Sequence, residues 1–240
     1  MRDFWAGLRA IIVKDIVVEF RARQVLPTMV VLGMLIVFIL RIVSEAGPSG
    51  PGTALMGAAA LWIAFLFSGL LAQERSFAVE QQNGCIDGLL MAPLDAGTLY
   101  LAKLLSNIII LSIFEGIVVP IVLIAFHVRF VNSWLGLIVV LLLGNFALSG
   151  VGTLFSAAVQ LTRTRGSLLS IVVLVILMPV MIPASFALLV LFGALPEEVA
   201  GSSSLAFVGS FESAVGYMVA FDAIFVAVSW LPFGLILDEG

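Results

Sequence analysis

No Asp, Glu, Lys or Arg lies between Arg129 and Arg163, and none lies between Arg165 and Glu197. About 20 apolar residues suffice for a helix to cross a hydrocarbon layer roughly 30 Å thick, so each of these runs is long enough to span a membrane. Composition agrees. Of 240 residues, 62% are hydrophobic and 11% charged, whereas soluble domains carry about 25% charged residues. A water-soluble fold of this length has no interior large enough to hide so much apolar surface. The chain reads as an integral membrane protein.

Six spans are predicted, over residues 25–43, 53–72, 99–126, 133–161, 167–192 and 213–237. A spanning segment must satisfy its own backbone N–H and C=O groups, which makes these helices. Barrel strands would alternate polar and apolar residues, and these runs do not. The expected fold class is therefore all-α integral membrane, a single transmembrane domain over residues 1–240. The first 24 residues set Phe4, Trp5, Leu8, Ile11 and Ile12 among Arg and Lys, the pattern of a helix lying in the membrane interface. The competing reading is a helical extension of the first span, and Pro27 argues against it. Arg9, Lys14, Asp15 and Glu19 interrupt this segment, so a cleavable signal peptide is not expected.

Basic residues set the orientation. The N-terminal segment carries Arg2, Arg9, Lys14, Arg21 and Arg23, the connection after span two with its flank Arg75 and Lys103, and the connection after span four Arg163 and Arg165. The other side carries Arg41 and Arg129 only. The positive-inside rule then places both termini and the 74–93 segment in the cytoplasm. On the opposite side, residues 44–52 form a Gly/Pro turn. Residues 193–212 mix small residues with Leu205, Phe207, Val208 and Phe211, which suits either a re-entrant or a solvated loop.

The chain has no phosphate-binding G-x-x-x-x-G-K-[ST], no G-x-S-x-G elbow and no H-E-x-x-H. One histidine and one cysteine, Cys85, leave no multi-residue metal site or internal disulfide. No enzyme activity, no metal and no nucleic-acid partner is expected. Glu115 falls in mid-span, where an ionisable group usually marks a pathway or gate; a hydrogen-bonded structural role is the alternative. Asp222 in span six, nearer the outer third, is a second such candidate. His127, at the outer end of span three, is either an axial haem ligand or an ordinary interfacial histidine. Pro120, Pro179 and Pro183 each remove a helix hydrogen bond. Gly144, Ser149, Gly150 and Gly152 fit close packing on a neighbouring helix.

The stretch "ERSFAVEQQNGCIDGLLMAP", residues 74–93, is polar, glycine-marked and nearly helical, with Glu80 and Asp87 near one helical face and Leu89 and Leu90 on another. A membrane protein without an energy-coupling motif needs an outside motor or an ion gradient. A short amphipathic helix here, stopped at Pro93, is a surface that a separate ATPase would grip; a surface turn with incidental helicity is the alternative.

Residues 62–107, "WIAFLFSGLLAQERSFAVEQQNGCIDGLLMAPLDAGTLYLAKLLSN", resemble the haem exporter protein B family, the permease subunits of the cytochrome c maturation system. "KDIVVEFRARQVLPTM" (14–29) and "GVGTLFSAAVQLTRTRGSLLSIVVLVILMPVMIPA" (150–184) are similar to that family as well. E-x-x-x-G-x-x-[DE]-x-L-L-x-x-P, here Glu80, Gly84, Asp87, Leu89, Leu90 and Pro93, resembles the coupling-helix signature of ABC-2 type exporter permeases. The resemblance implies an ABC-2 type exporter fold in the bacterial inner membrane and a permease homodimer. It also implies an ATP-binding cassette subunit docked on Glu74, Arg75, Phe77, Glu80, Gly84, Asp87, Leu89, Leu90 and Pro93. Haem is then cargo, ATP is bound by the partner subunit, and other haem-handling cytochrome c maturation membrane proteins are partners. One departure is Glu80-Gln81-Gln82, where relatives often carry an "ERE"-like run, so one charge is missing from any salt bridge to the ATPase there. The rival readings are an ABC-2 permease for a lipid, glycan or drug, and a membrane scaffold that moves nothing.

Overall fold

The computed structural model describes residues 2–22, 25–45, 51–82, 96–128, 134–162, 167–194 and 210–238. These form seven α-helices: α1 (Arg2–Ala22), α2 (Val25–Glu45), α3 (Pro51–Gln82), α4 (Ala96–Ala125), α5 (Trp134–Thr162), α6 (Ser167–Leu191) and α7 (Phe211–Asp238). Helices α2 to α7 are each long and apolar enough to cross a membrane, over 25–44, 53–74, 97–125, 134–156, 171–191 and 211–229. The expected all-α architecture with six spans is what the structure shows. The connection at 195–209 and the turn at 163–166 lie outside the described residues.

Successive spans run antiparallel. Ser68 on α3 donates to the Met29 carbonyl of α2, and Tyr100 at the start of α4 donates to the Gly150 carbonyl late in α5. Helices α3, α4 and α5 form the centre, with α2 packed on α3 and α4, and α6 and α7 packed on α5. Only 22% of the α2 span and 17% of the α7 span is buried, against 61% for α3 and for α5.

In lipid the packing of these helices draws on van der Waals contact, because acyl chains are as apolar as leucine. Close approach therefore decides the geometry. A Cβ at Gly144 would sit 3.0 Å from the Trp62 ring, one at Gly33 would sit 2.9 Å from the Phe114 ring, and one at Gly69 would overlap Leu148. The small residues expected to pack on a neighbour do so. Both α4 and α6 run continuously through Pro120, Pro179 and Pro183.

Helix ends follow local chemistry. Helix α1 stops at Ala22 and α2 starts at Val25, with Pro27 in the first turn, where its missing N–H is not needed. The Glu19 carboxylate of α1 accepts from the Leu26 N–H at 2.7 Å and so caps α2. Ser210 and Ser213 bond reciprocally at the start of α7 (Ser213 N–H to Ser210 Oγ 3.2 Å, Ser210 N–H to Ser213 Oγ 2.9 Å), a capping-box arrangement. Helix α4 closes with the Val128 N–H on the Leu123 carbonyl and the His127 N–H on the Ile124 carbonyl. His127 itself sits at φ 49°, in the left-handed position usually given to glycine. Gly193 plays the same part after α6, at φ 65°.

That geometry predicts a mutational pattern. His127→Gly is expected to leave stability unchanged or raise it by about 1 kcal/mol, and His127→Val to lower it by about 1–2 kcal/mol, since a β-branched residue suffers most in that conformation. Thermal unfolding of the detergent-solubilised protein reads both.

Candidate functional site

At the end of the bundle that carries most of the Lys and Arg, three helices are tied by buried polar groups. Gln73 lies near the end of the α3 span and is 1% exposed. Its Oε1 accepts from Asn107 Nδ2 of α4 at 2.9 Å, and the same amide donates to Thr153 Oγ1 of α5 at 3.0 Å. Ser156 Oγ donates to the Gln73 carbonyl at 2.8 Å. A Cβ at Gly152 would lie 2.6 Å from Gln73 Cγ, so glycine is what lets the glutamine lie against α5. Buried polar side chains in a span need one another, because lipid offers no substitute partner, and this set holds the feet of α3, α4 and α5 in one register.

Immediately outside this node α3 continues without a break from Gln73 through Glu74, Arg75, Phe77 and Glu80 to Gln82. Of the short amphipathic helix and the surface turn weighed for the 74–93 segment, its first half is helical and continuous with the second span. The reason is local. Residues 70–82 hold no Gly or Pro, and the first helix-ending pair in the sequence is Asn83-Gly84. Thirty-two residues at about 1.5 Å each make a rod of roughly 48 Å, well beyond a layer of about 30 Å. Glu74 is half-buried. Gly84, Asp87, Leu89, Leu90 and Pro93 lie outside the described residues.

Helix α1 packs across the foot of α4, burying Leu8 and Ile11 with Leu99, Tyr100, Leu104 and Ile108. A buried ion pair locks it there. Lys103 Nζ lies 3.0 Å from Asp15 Oδ2, and the lysine side chain is 1% exposed. The outward side of α1 shows Trp5, Val13, Val17 and Phe20 beside Arg9, Lys14 and Arg21, which suits a helix lying in the membrane interface.

Two acids sit deeper, at a common depth. Glu115 on α4 is 7% exposed, and its Oε2 accepts from Asn145 Nδ2 of α5 at 2.8 Å; the same amide donates to Ser112 Oγ at 3.1 Å. Glu115 Oε1 and Asn145 Oδ1 have no hydrogen-bond partner among the described residues. Glu115, Asn145 and Asp222 are each about 15–17 Å along the axis from the helix end opposite the basic foot. Helix α7 starts at Phe211, two residues before the expected start of the span at Ser213. The two carboxyls are not brought together: Glu115 meets Asn145, and Asp222 lines a separate groove with Leu143 and Phe146. His127 is exposed beyond the end of α4, and its described role is in the backbone.

Sequence reasoning missed the node and the ion pair. Lys103, counted among the charges flanking the connection after span two and within the third span, is buried in α4. Asn107, Gln73 and Thr153 carried the same signal that singled out Glu115, polar groups inside apolar runs, and the same argument would have found them.

A model of the family described as CcmB protein matches residues 6–230. The chain belongs to the CcmB protein family. It is 33% identical over 123 residues to "Heme exporter protein B" of Rhodobacter capsulatus, covering 51% of this chain and 56% of that protein. It is 32% identical over 127 residues to the protein of that name in Haemophilus influenzae (53% and 57%), and 32% over 137 residues to that of Paracoccus denitrificans (57% and 62%). The matched segments thus span less than two thirds of the length of these relatives. The family match covers all six helices described as crossing the membrane, and with them the foot node, the Asp15–Lys103 pair and both intramembrane acids.

Proposed function

We propose that this CcmB-family chain is the permease subunit of an ABC complex that exports haem, or releases a haem-loaded chaperone, for c-type cytochrome assembly. It works in the bacterial inner membrane with both termini in the cytoplasm. A separate ATP-binding subunit docks on residues 74–93 and hydrolyses the ATP, two permease chains pair, and other haem-handling membrane proteins join the complex. Family membership over 6–230, with relatives named heme exporter protein B, carries the reading.

The mechanism follows from α3. A push on its extension travels along a continuous helix, because a rigid helix transmits axial and tilting displacement over its whole length. The node at Gln73 passes that displacement to α4 and α5 through Asn107, Thr153 and Ser156. Asn145, on α5, meets Glu115 of α4 deeper in the bundle, so a shift of α5 against α4 alters the surroundings of this acid. Glu115 then acts as a pathway group.

The decisive experiment is complementation of a strain lacking its own permease subunit, with c-type cytochrome yield and co-purification of the ATP-binding subunit as readouts. Restored yield with the subunit retained supports the reading. Retention without yield points to another cargo, and neither outcome points to a scaffold. Within that assay Glu115→Gln, which keeps an acceptor for Asn145, is expected to preserve insertion and subunit binding yet lower yield at least tenfold. Full yield from this variant removes Glu115 from the pathway.

A further inference from the structure

Lys and Arg gather at the foot of the bundle, and the opposite end carries only Arg41 and Arg129. Basic residues are disfavoured on that side, so the surroundings of Arg41 are informative. It is half-buried on α2, about 6 Å along the axis from the helix end at Glu45. It stands at the head of a groove of about 480 Å³ between α2 and α4. Val31, Met34, Leu35 and Phe38 wall the groove on the α2 side, Ile121 and Ala125 on the α4 side, and Arg41 supplies its only charge. From Val31 to Arg41 the groove follows α2 for about 15 Å.

Length, depth and charge specify an occupant. The groove's length is about half of a hydrocarbon layer of roughly 30 Å, which is the depth of one leaflet. Val31, Leu35 and Phe38 are exposed along it, so it opens sideways to acyl chains. The Arg41 guanidinium lies close to the helix end, at the level of phospholipid headgroups. Its planar fork matches two oxygens of a phosphate. It also carries five N–H donors, so a contact within its own chain leaves others for a ligand. Basic pockets between spanning helices bind anionic headgroups on the same grounds. An apolar slot one leaflet deep, with a single cation at its interfacial end, is complementary to a lipid with an acyl chain, a phosphate and net negative charge.

We propose that the groove between α2 and α4 binds one anionic phospholipid from the leaflet opposite the basic foot, with its acyl chain along α2 and its phosphate on Arg41. The site stands whether or not the cargo is haem.

The test places a photoreactive residue at Leu35 of the full chain, reconstituted into vesicles of equal parts phosphatidylglycerol and phosphatidylethanolamine. Leu142, exposed at a similar depth on α5, is the control position. Mass spectrometry of the adducts is expected to show phosphatidylglycerol favoured about tenfold at Leu35, the factor that one charge-assisted hydrogen bond supplies, and parity of the two lipids at Leu142. Arg41→Gln should bring Leu35 to parity without reducing the total lipid adduct there, because the acyl slot is intact. Arg41→Lys keeps the charge but not the fork, and should give a preference between those of the parent and Arg41→Gln. A monodisperse peak in size-exclusion chromatography checks folding, and the contrast between Leu35 and Leu142 tests the site with Arg41 unchanged. An adduct at Leu35 with a second copy of this chain in place of lipid, parity of the two lipids at Leu35 in the parent, or a preference that survives Arg41→Gln overturns the proposal.

Discussion

Asp15→Leu is expected to destabilise the protein by about 3 kcal/mol, because it takes the carboxylate away from the Lys103 ammonium in a site that is 1% exposed. The pair joins α1 to the foot of α4, so the loss should first show as release of α1. Limited proteolysis within residues 2–22 and thermal unfolding in detergent measure the two effects. Lys103→Met leaves the carboxylate with Lys14 at 3.2 Å and some contact with solvent, so its cost should be smaller. The double variant Asp15→Leu, Lys103→Met should recover most of the loss, since an ion pair replaced by apolar residues of similar volume is often neutral. If Asp15→Leu alone is as stable as the parent, α1 is held by Leu8 and Ile11 and the pair contributes nothing.

Asn107→Leu should have the larger effect on transport. It removes the amide that serves both Gln73 Oε1 and Thr153 Oγ1, leaving two buried acceptors without their donor. The stability cost is about 1–3 kcal/mol, the usual penalty for an unsatisfied buried group. The functional cost should exceed it, because the node is where the α3 extension meets α4 and α5. Inserted protein should still bind the ATP-binding subunit, while cytochrome yield falls at least tenfold. Gly152→Ala approaches the same point from α5, since its new Cβ would press on Gln73 at 2.6 Å, and it should give the same split between binding and yield. Parental yield from both variants means that the displacement takes another route.

Much of this was legible in the residues. Charge-free runs dictated six helices because the bilayer admits no unpaired backbone. Gly144 and its neighbours signalled close packing. The extension of α3 to Gln82 was less apparent, because the polarity of residues 73–82 invites a boundary where no Gly or Pro enforces one.

What the sequence settled by itself is everything set by the solvent: the number of spans and their helical nature, since hydrocarbon thickness and backbone hydrogen bonding act on each segment alone. Which polar groups meet was decided by the tertiary structure. Lys103 with Asp15, Gln73 with Asn107 and Thr153, and Glu115 with Asn145 depend on neighbour order, depth and the rotation of each helix about its axis. Spans that are apolar on nearly every side carry almost no signal of that rotation. Only the packing of one helix against another, through Gly69, Gly144 and Gly152, supplies it.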